Sequence, residues 1–196
     1  ETVKVGTGLL NNHWTFDARL SNIGTDGYID RASVDLNSYY LQGGYFAENT
    51  SVKLIAFAGK EKTYHAWGYA TKDQMEKFGR RYNPCGEMYT DANGKKYYYD
   101  DQTDNYLQKN YQLLFNHTFS TAWNLNVALH YTKGDGYYEE YKDGRYLIEY
   151  GLKPFTIDGT EVSKSDLVRQ KKMDNKFGGG VFSLNYTANR LNASLG

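Results

Sequence analysis

Between Trp123 and Thr132 the chain alternates without a break. Trp123, Leu125, Val127, Leu129 and Tyr131 are apolar, while Asn124, Asn126, Ala128, His130 and Thr132 are small or polar. Successive strand side chains point to opposite faces, so a strand here has one wholly apolar face and one polar face. The preceding stretch, Leu107 to Phe119, has the same form. Tyr111, Leu113, Phe115 and Phe119 share one parity, and Gln108, Asn110, Gln112, Asn116 and Thr118 share the other. Ser120-Thr121-Ala122 joins the two stretches, which therefore read as a hairpin.

The module recurs. Val3, Val5 and Leu9 lead to Asn11-Asn12, and then Trp14, Phe16, Ala18 and Leu20 alternate with Thr15, Asp17, Arg19 and Ser21. Tyr39, Leu41 and Tyr45 lead through Glu48-Asn49-Thr50 to Val52, Leu54, Ala56 and Ala58. Phe182, Leu184 and Tyr186 lead through Thr187-Ala188-Asn189 to Leu191, Ala193 and Leu195. The pattern predicts about eight strands in four hairpins. Tight turns near Asn12, Asn49, Thr121 and Asn189 alternate with longer connections over residues 22–33, 60–106 and 133–174. Short turns at one end and long loops at the other are the arrangement of outer-membrane barrels. Trp14, Tyr45, Phe119, Trp123 and Tyr186 all fall near a tight turn, where an interfacial aromatic girdle belongs. The expected fold is all-β, an antiparallel up-and-down transmembrane β-barrel segment with long extracellular loops. One helix is expected inside the 60–106 connection. Thr71-Lys72-Asp73-Gln74 fits a capping box, Met75 and Phe78 share a face, and Gly79 can end the turn.

Composition narrows the function classes. The 196 residues carry 23 basic and 23 acidic side chains, so the electrostatic footprint of a nucleic-acid binder is missing. The 20 Tyr and 20 Gly against three Met favour strands over helices. Cys85 is the single cysteine, which excludes an internal disulfide and a cysteine-based zinc site. The alternation begins at Glu1 without a signal-peptide pattern, and no apolar run approaches the roughly 18 residues of a membrane helix. Mean hydropathy is only −0.75, but a barrel hides its signal because every second strand residue faces away from lipid.

The stretch Thr7-Gly8-Leu9-Leu10-Asn11-Asn12-His13-Trp14-Thr15-Phe16-Asp17-Ala18-Arg19-Leu20-Ser21 resembles the early barrel of TonB-dependent outer-membrane receptors. So does Asp26-Gly27-Tyr28-Ile29-Asp30-Arg31, and His130-Tyr131-Thr132-Lys133-Gly134-Asp135-Gly136-Tyr137-Tyr138-Glu139 is similar to a later stretch of it. The likeness extends over essentially the whole chain, although its individual motifs are loose. It implies a barrel of roughly 22 strands with an N-terminal plug. Such receptors sit in the Gram-negative outer membrane, draw energy from the inner-membrane TonB complex, and import iron chelates, cobalamin or glycans. On this reading residues 1–196 are a partial barrel domain. The plug and its TonB-contact segment are absent, and outer-membrane lipid surrounds the strands.

The long connections are rich in aromatics. Tyr64, His65, Trp67 and Tyr69 cluster in one, Tyr97, Tyr98 and Tyr99 follow mid-loop, and Tyr137, Tyr138 and Tyr141 open the next. Aromatic faces stack on sugars and planar ligands, so Tyr64, Trp67, Tyr69, Tyr97, Tyr98, Tyr99, Tyr137 and Tyr138 are the candidate contacts for a small nutrient ligand. The alternative is girdle and loop packing. Asp100, Asp101 and Asp104 lie together but lack calcium-loop spacing. His13, His65, His117 and His130 show no zinc spacing, and parity puts His117 and His130 on opposite faces. Gly178-Gly179-Gly180 reads as a bend or close approach, not a phosphate loop. No catalytic constellation, metal site or cofactor is expected. The competing readings are a carbohydrate-binding β module using the tyrosine-rich loops, and a small closed eight-stranded barrel.

Overall fold

The structure, a computed structural model, describes residues 1–196. β1 (Thr2–Gly6), β2 (Trp14–Thr25), β3 (Val34–Phe46) and β4 (Thr50–Tyr64) form a meander. α1 (Lys72–Phe78) and a small hairpin of β5 (Glu87–Thr90) and β6 (Lys96–Tyr98) follow. β7 (Thr103–Thr118) and β8 (Trp123–Tyr146) make the next long hairpin. A second small hairpin, β9 (Phe155–Ile157) and β10 (Thr160–Val162), precedes β11 (Lys164–Ala188) and β12 (Leu191–Leu195). The main sheet has eight strands in the order β1-β2-β3-β4-β7-β8-β11-β12. Every neighbouring pair is antiparallel. The fold is therefore all-β. The sheet is open, with β1 and β12 as its edges.

Local chemistry explains the turns. Asn11 and Asn12 have φ of 47° and 59°, the left-handed conformation that tight hairpin turns need and that Asn tolerates. α1 forms where the capping box predicts it: Thr71 Oγ1 accepts from Gln74 N–H at 3.2 Å and Gln74 Oε1 accepts from Thr71 N–H at 2.9 Å.

Cross-strand register brings the alternating patterns together. Trp14 opposes Tyr45, which opposes Val52, which opposes Phe115, which opposes Val127, which opposes Phe182. Along another row Ala18, Leu41, Ala56, Tyr111, Tyr131 and Gly178 line up. Directly opposed residues share a face, so these rows build one continuous apolar face, while the other face mixes polar residues with Ile55, Phe57, Leu114, Phe177 and Val181. His117 opposes Leu125 on that side and His130 opposes Gln112 on the other, as their parity predicts.

No second layer covers this face. Only 13 of the 196 residues are buried, so the sheet has no core of its own. Leu54 remains 61% exposed in the middle of the apolar face. A depression of about 760 Å³ lies over Ala18, Gly43 and Ala56 and is walled by larger neighbours such as Phe16, Leu54 and Tyr111.

The connections are shorter than the sequence suggests. β8 continues to Tyr146 and β11 starts at Lys164, so most of the span 133–174 is strand and Tyr137 and Tyr138 lie within β8. The other long connection covers 65–102 instead of 60–106, and residues 22–25 belong to β2. Beyond the apolar band both faces are polar or aromatic, so the period-two signal fades while the hydrogen-bond ladder runs on.

Tyr106 shapes the start of this extension. Its ring covers Gly134 and Gly136 on the neighbouring strand. A Cβ on Gly134 would meet chiefly the far end of the Tyr106 side chain, whereas one on Gly136 would meet the backbone of Asn105 and Tyr106. Gly136→Ala is expected to cost about 1–3 kcal/mol through backbone displacement, and Gly134→Ala less than about 1 kcal/mol. Denaturant unfolding of both variants checks the order, and equal costs would contradict it.

Candidate functional site

The only substantial buried cluster lies at the long-connection end of the sheet. Its centre is Asn83, which is 1% exposed. The Asn83 amide donates to the carbonyls of Asp30 at 3.0 Å and His65 at 2.9 Å, and its Oδ1 accepts from Cys85 N–H at 3.0 Å. The Arg31 guanidinium donates to the Asn83 carbonyl, and Arg81 pairs with Asp30 at 3.1 Å. One side chain thus ties the β2–β3 connection to the β4–β7 connection.

Arg31 anchors the first group of aromatics. Its guanidinium carbon lies 3.4 Å from the centre of the Tyr98 ring and 5.7 Å from that of Tyr64. This is cation–π geometry. The buried Tyr64 hydroxyl reaches the carbonyls of Tyr99 at 2.9 Å and Cys85 at 3.3 Å. Burial raises the Tyr64 pKa despite the opposing pull of Arg31, so the hydroxyl stays a donor. The Tyr99 hydroxyl donates to Glu139, and that bond, with burial, pushes its pKa up to about 12.

A second group surrounds His65, which is 2% exposed. Neither ring nitrogen has a hydrogen-bond partner, and the Asp104 carboxylate stands 3.9 Å from Nε2. The imidazole stacks on Trp67 with ring centres 3.7 Å apart. Tyr138 meets both rings edge-on, at 6.1 Å and 5.9 Å. Glu140 lies two residues along β8 and pairs with Lys142 and with Arg169 at 3.2 Å. Burial alone would raise the Glu140 carboxyl, but these two cations hold it below the usual carboxylate range.

The eight aromatics named from the sequence therefore divide. Tyr64 and Tyr98 gather at Arg31, Trp67 and Tyr138 gather at His65, and the Tyr99 ring lies near Tyr141, 6.3 Å between centres. Tyr64 and Tyr99 use their hydroxyls to hold the connection in place. Tyr99 also stands only four residues before β7, not isolated in mid-loop. Tyr97 stacks on Tyr89 in the β5–β6 hairpin with ring centres 4.7 Å apart. Tyr137 lies on the opposite face of β8 from Tyr138, against Asn105 and Lys172. Tyr69 stands apart and is 91% exposed. The three aspartates do not converge, because Asp101 pairs with Lys62 and Asp104 faces His65.

Sequence reasoning missed Arg31, His65 and Asn83 as organising residues. Asn83-Pro84 is a turn dipeptide and gave one available signal. Nothing local marks Arg31, whose partners lie far along the chain. Trp67 is 50% exposed while its ring is braced by His65, so it offers a rigid aromatic surface with charged groups nearby. Such an arrangement suits a planar or sugar-like ring. No family model matches the chain, and no curated protein or solved structure is significantly similar to it.

Two outcomes follow from this geometry. Asn83→Ala strands the Cys85 N–H and the carbonyls of Asp30 and His65, and is expected to cost about 1–3 kcal/mol per buried group left unpaired. Limited proteolysis should then cut within residues 65–102, and unchanged resistance would contradict the role. Burial lowers the His65 pKa from its ordinary 6.5, while Asp104 and Glu140 pull it up. The unfolded chain therefore takes up a proton more readily than the fold. The stability from neutral His65 is complete above about pH 6.5 and is lost as pH falls through the lower folded value. Trp67 fluorescence should report loosening below about pH 6.5, and His65→Phe should abolish that step.

Proposed function

We propose that this chain is part of the β-barrel of an outer-membrane receptor of the TonB-dependent kind, which imports a small nutrient ligand. The observation that carries the reading is the register that lines up apolar rows from all eight strands into one continuous uncovered face. From Trp123 to Tyr131 this band runs about 26 Å along β8, at a rise of about 3.3 Å per residue. A strand tilt of about 40° turns that into roughly 20 Å of height, close to the apolar belt of about 25 Å in outer-membrane barrels. Two aromatic pairs mark its lower border: Trp14 with Tyr45 at 4.8 Å and Trp123 with Tyr186 at 4.7 Å between ring centres. Rings at one level suit a membrane interface.

The rest of the chain takes its roles from this frame. The apolar face meets outer-membrane lipid. Asp17, Arg19, Gln112, Asn124, Asn126 and His130 face the lumen, where a plug domain coupled to TonB meets them. Trp67, Tyr69 and Tyr138 stand on the long-connection side, where an iron chelate, cobalamin or glycan first arrives. The open edges at β1 and β12 are completed by further barrel strands.

Site-directed spin labelling along β8 tests this reading in outer-membrane vesicles. Labels at 125, 127 and 129 should be accessible to oxygen, and labels at 124, 126 and 128 to a polar relaxation agent. Loss of that alternation would overturn lipid contact. Val127→Arg should cost about 2–4 kcal/mol of stability in lipid. A cost near zero would argue the same way.

A further inference from the structure

The face that is apolar over its lower half changes character along a single row. Ala58 opposes Lys109, Lys109 opposes Lys133, and Lys133 opposes Lys176. Three lysines thus stand side by side on β7, β8 and β11, one step above Tyr111, Tyr131 and Gly178. Like charges directly opposite one another across a sheet are destabilising. The counter-charges within the protein are limited. Lys133 approaches Asp135 only to 3.9 Å, and Lys109 and Lys176 make no ion pair. The next row up holds Lys60, Leu107, Asp135 and Asp174, and the one beyond it Lys62, Asn105, Tyr137 and Lys172. Lys62 is already paired with Asp101 at 3.3 Å. The row at Lys109 is therefore a purely cationic line at the border of the apolar band.

We propose that Lys109, Lys133 and Lys176 bind the phosphate groups of anionic lipid headgroups at the upper rim of the apolar band. The inference rests on the barrel reading and adds a lipid class to it. Each lysine stem lies along apolar surface while its ammonium reaches the headgroup layer. Acyl chains then cover Tyr111, Leu113, Leu129 and Tyr131 below, and phosphates neutralise the row above. The lipid relieves a repulsion that the free protein carries.

The test compares the purified protein with Lys109→Gln/Lys133→Gln/Lys176→Gln, using nanodiscs of zwitterionic lipid alone or mixed with phosphatidylglycerol. Each cation near an anionic surface is worth about fivefold in binding, so the triple variant should lose roughly a hundredfold of preference for the anionic lipid. Its insertion into zwitterionic discs should be unchanged. In zwitterionic detergent it should unfold no more easily than the parent, because a repulsion has been removed. Retained anionic preference would overturn the proposal. So would an equal loss in the control Lys72→Gln/Lys77→Gln/Lys95→Gln, which removes the same charge from the connection. Displacement of the lipid by millimolar inorganic phosphate would overturn the lipid source. Failure of the parent to enter either disc would overturn the barrel reading itself, a result distinct from loss of lipid preference.

Discussion

Everything in this structure depends on a face that has no protein partner. Backbone pairing satisfies the hydrogen bonds of eight strands, but it does nothing to remove Phe16, Leu54 or Phe182 from water. In a soluble sheet a second layer supplies that burial. Here the apolar side chains stand in register across the sheet with no second layer over them. Proper pairing is then not a source of a core but a way of presenting a surface.

The protein's own packing is displaced to one end. Asn83, His65, Tyr64, Cys85 and Glu140 are buried together beyond the apolar band, where the connections make a conventional interior. That interior is small and polar. Its order comes from directed bonds: one amide bridging two connections, one guanidinium between two tyrosines, one imidazole against an indole. Trp67 is braced by these contacts even though half its surface is open. A ligand stacking on it would meet a ring with little freedom left to lose.

The strands and their faces were legible because alternation with a period of two is a local signal. Trp123 to Tyr131 and Tyr111 to Phe115 declared both their secondary structure and their shared side. The helix at Lys72–Phe78 was legible for the same reason, since a capping box is written in adjacent residues. The ends of β4, β8 and β11 were not, because their residues above the band face water on one side and the aromatic cluster on the other. The site was half legible. Its tyrosines were visible as a composition, but the sorting of Tyr64 to structure and Trp67 to the surface depends on Arg31 and Asn83. Those partners are fixed by tertiary contacts across many tens of residues.

β8 and β11 outlast the rest of the sheet. β7 accompanies β8 only as far as Tyr138, and from there to Tyr146 the two strands climb as a pair. A two-stranded ribbon is weak in isolation and bends as a unit. Its root is fixed, because Glu140 holds Arg169 and Lys142, while Tyr141 holds Asp166 at 2.5 Å. The Tyr138 ring that meets Trp67 edge-on therefore sits at the base of the longest hairpin, so the aromatic platform is built on the sheet's most fully paired strand and not on a loop tip.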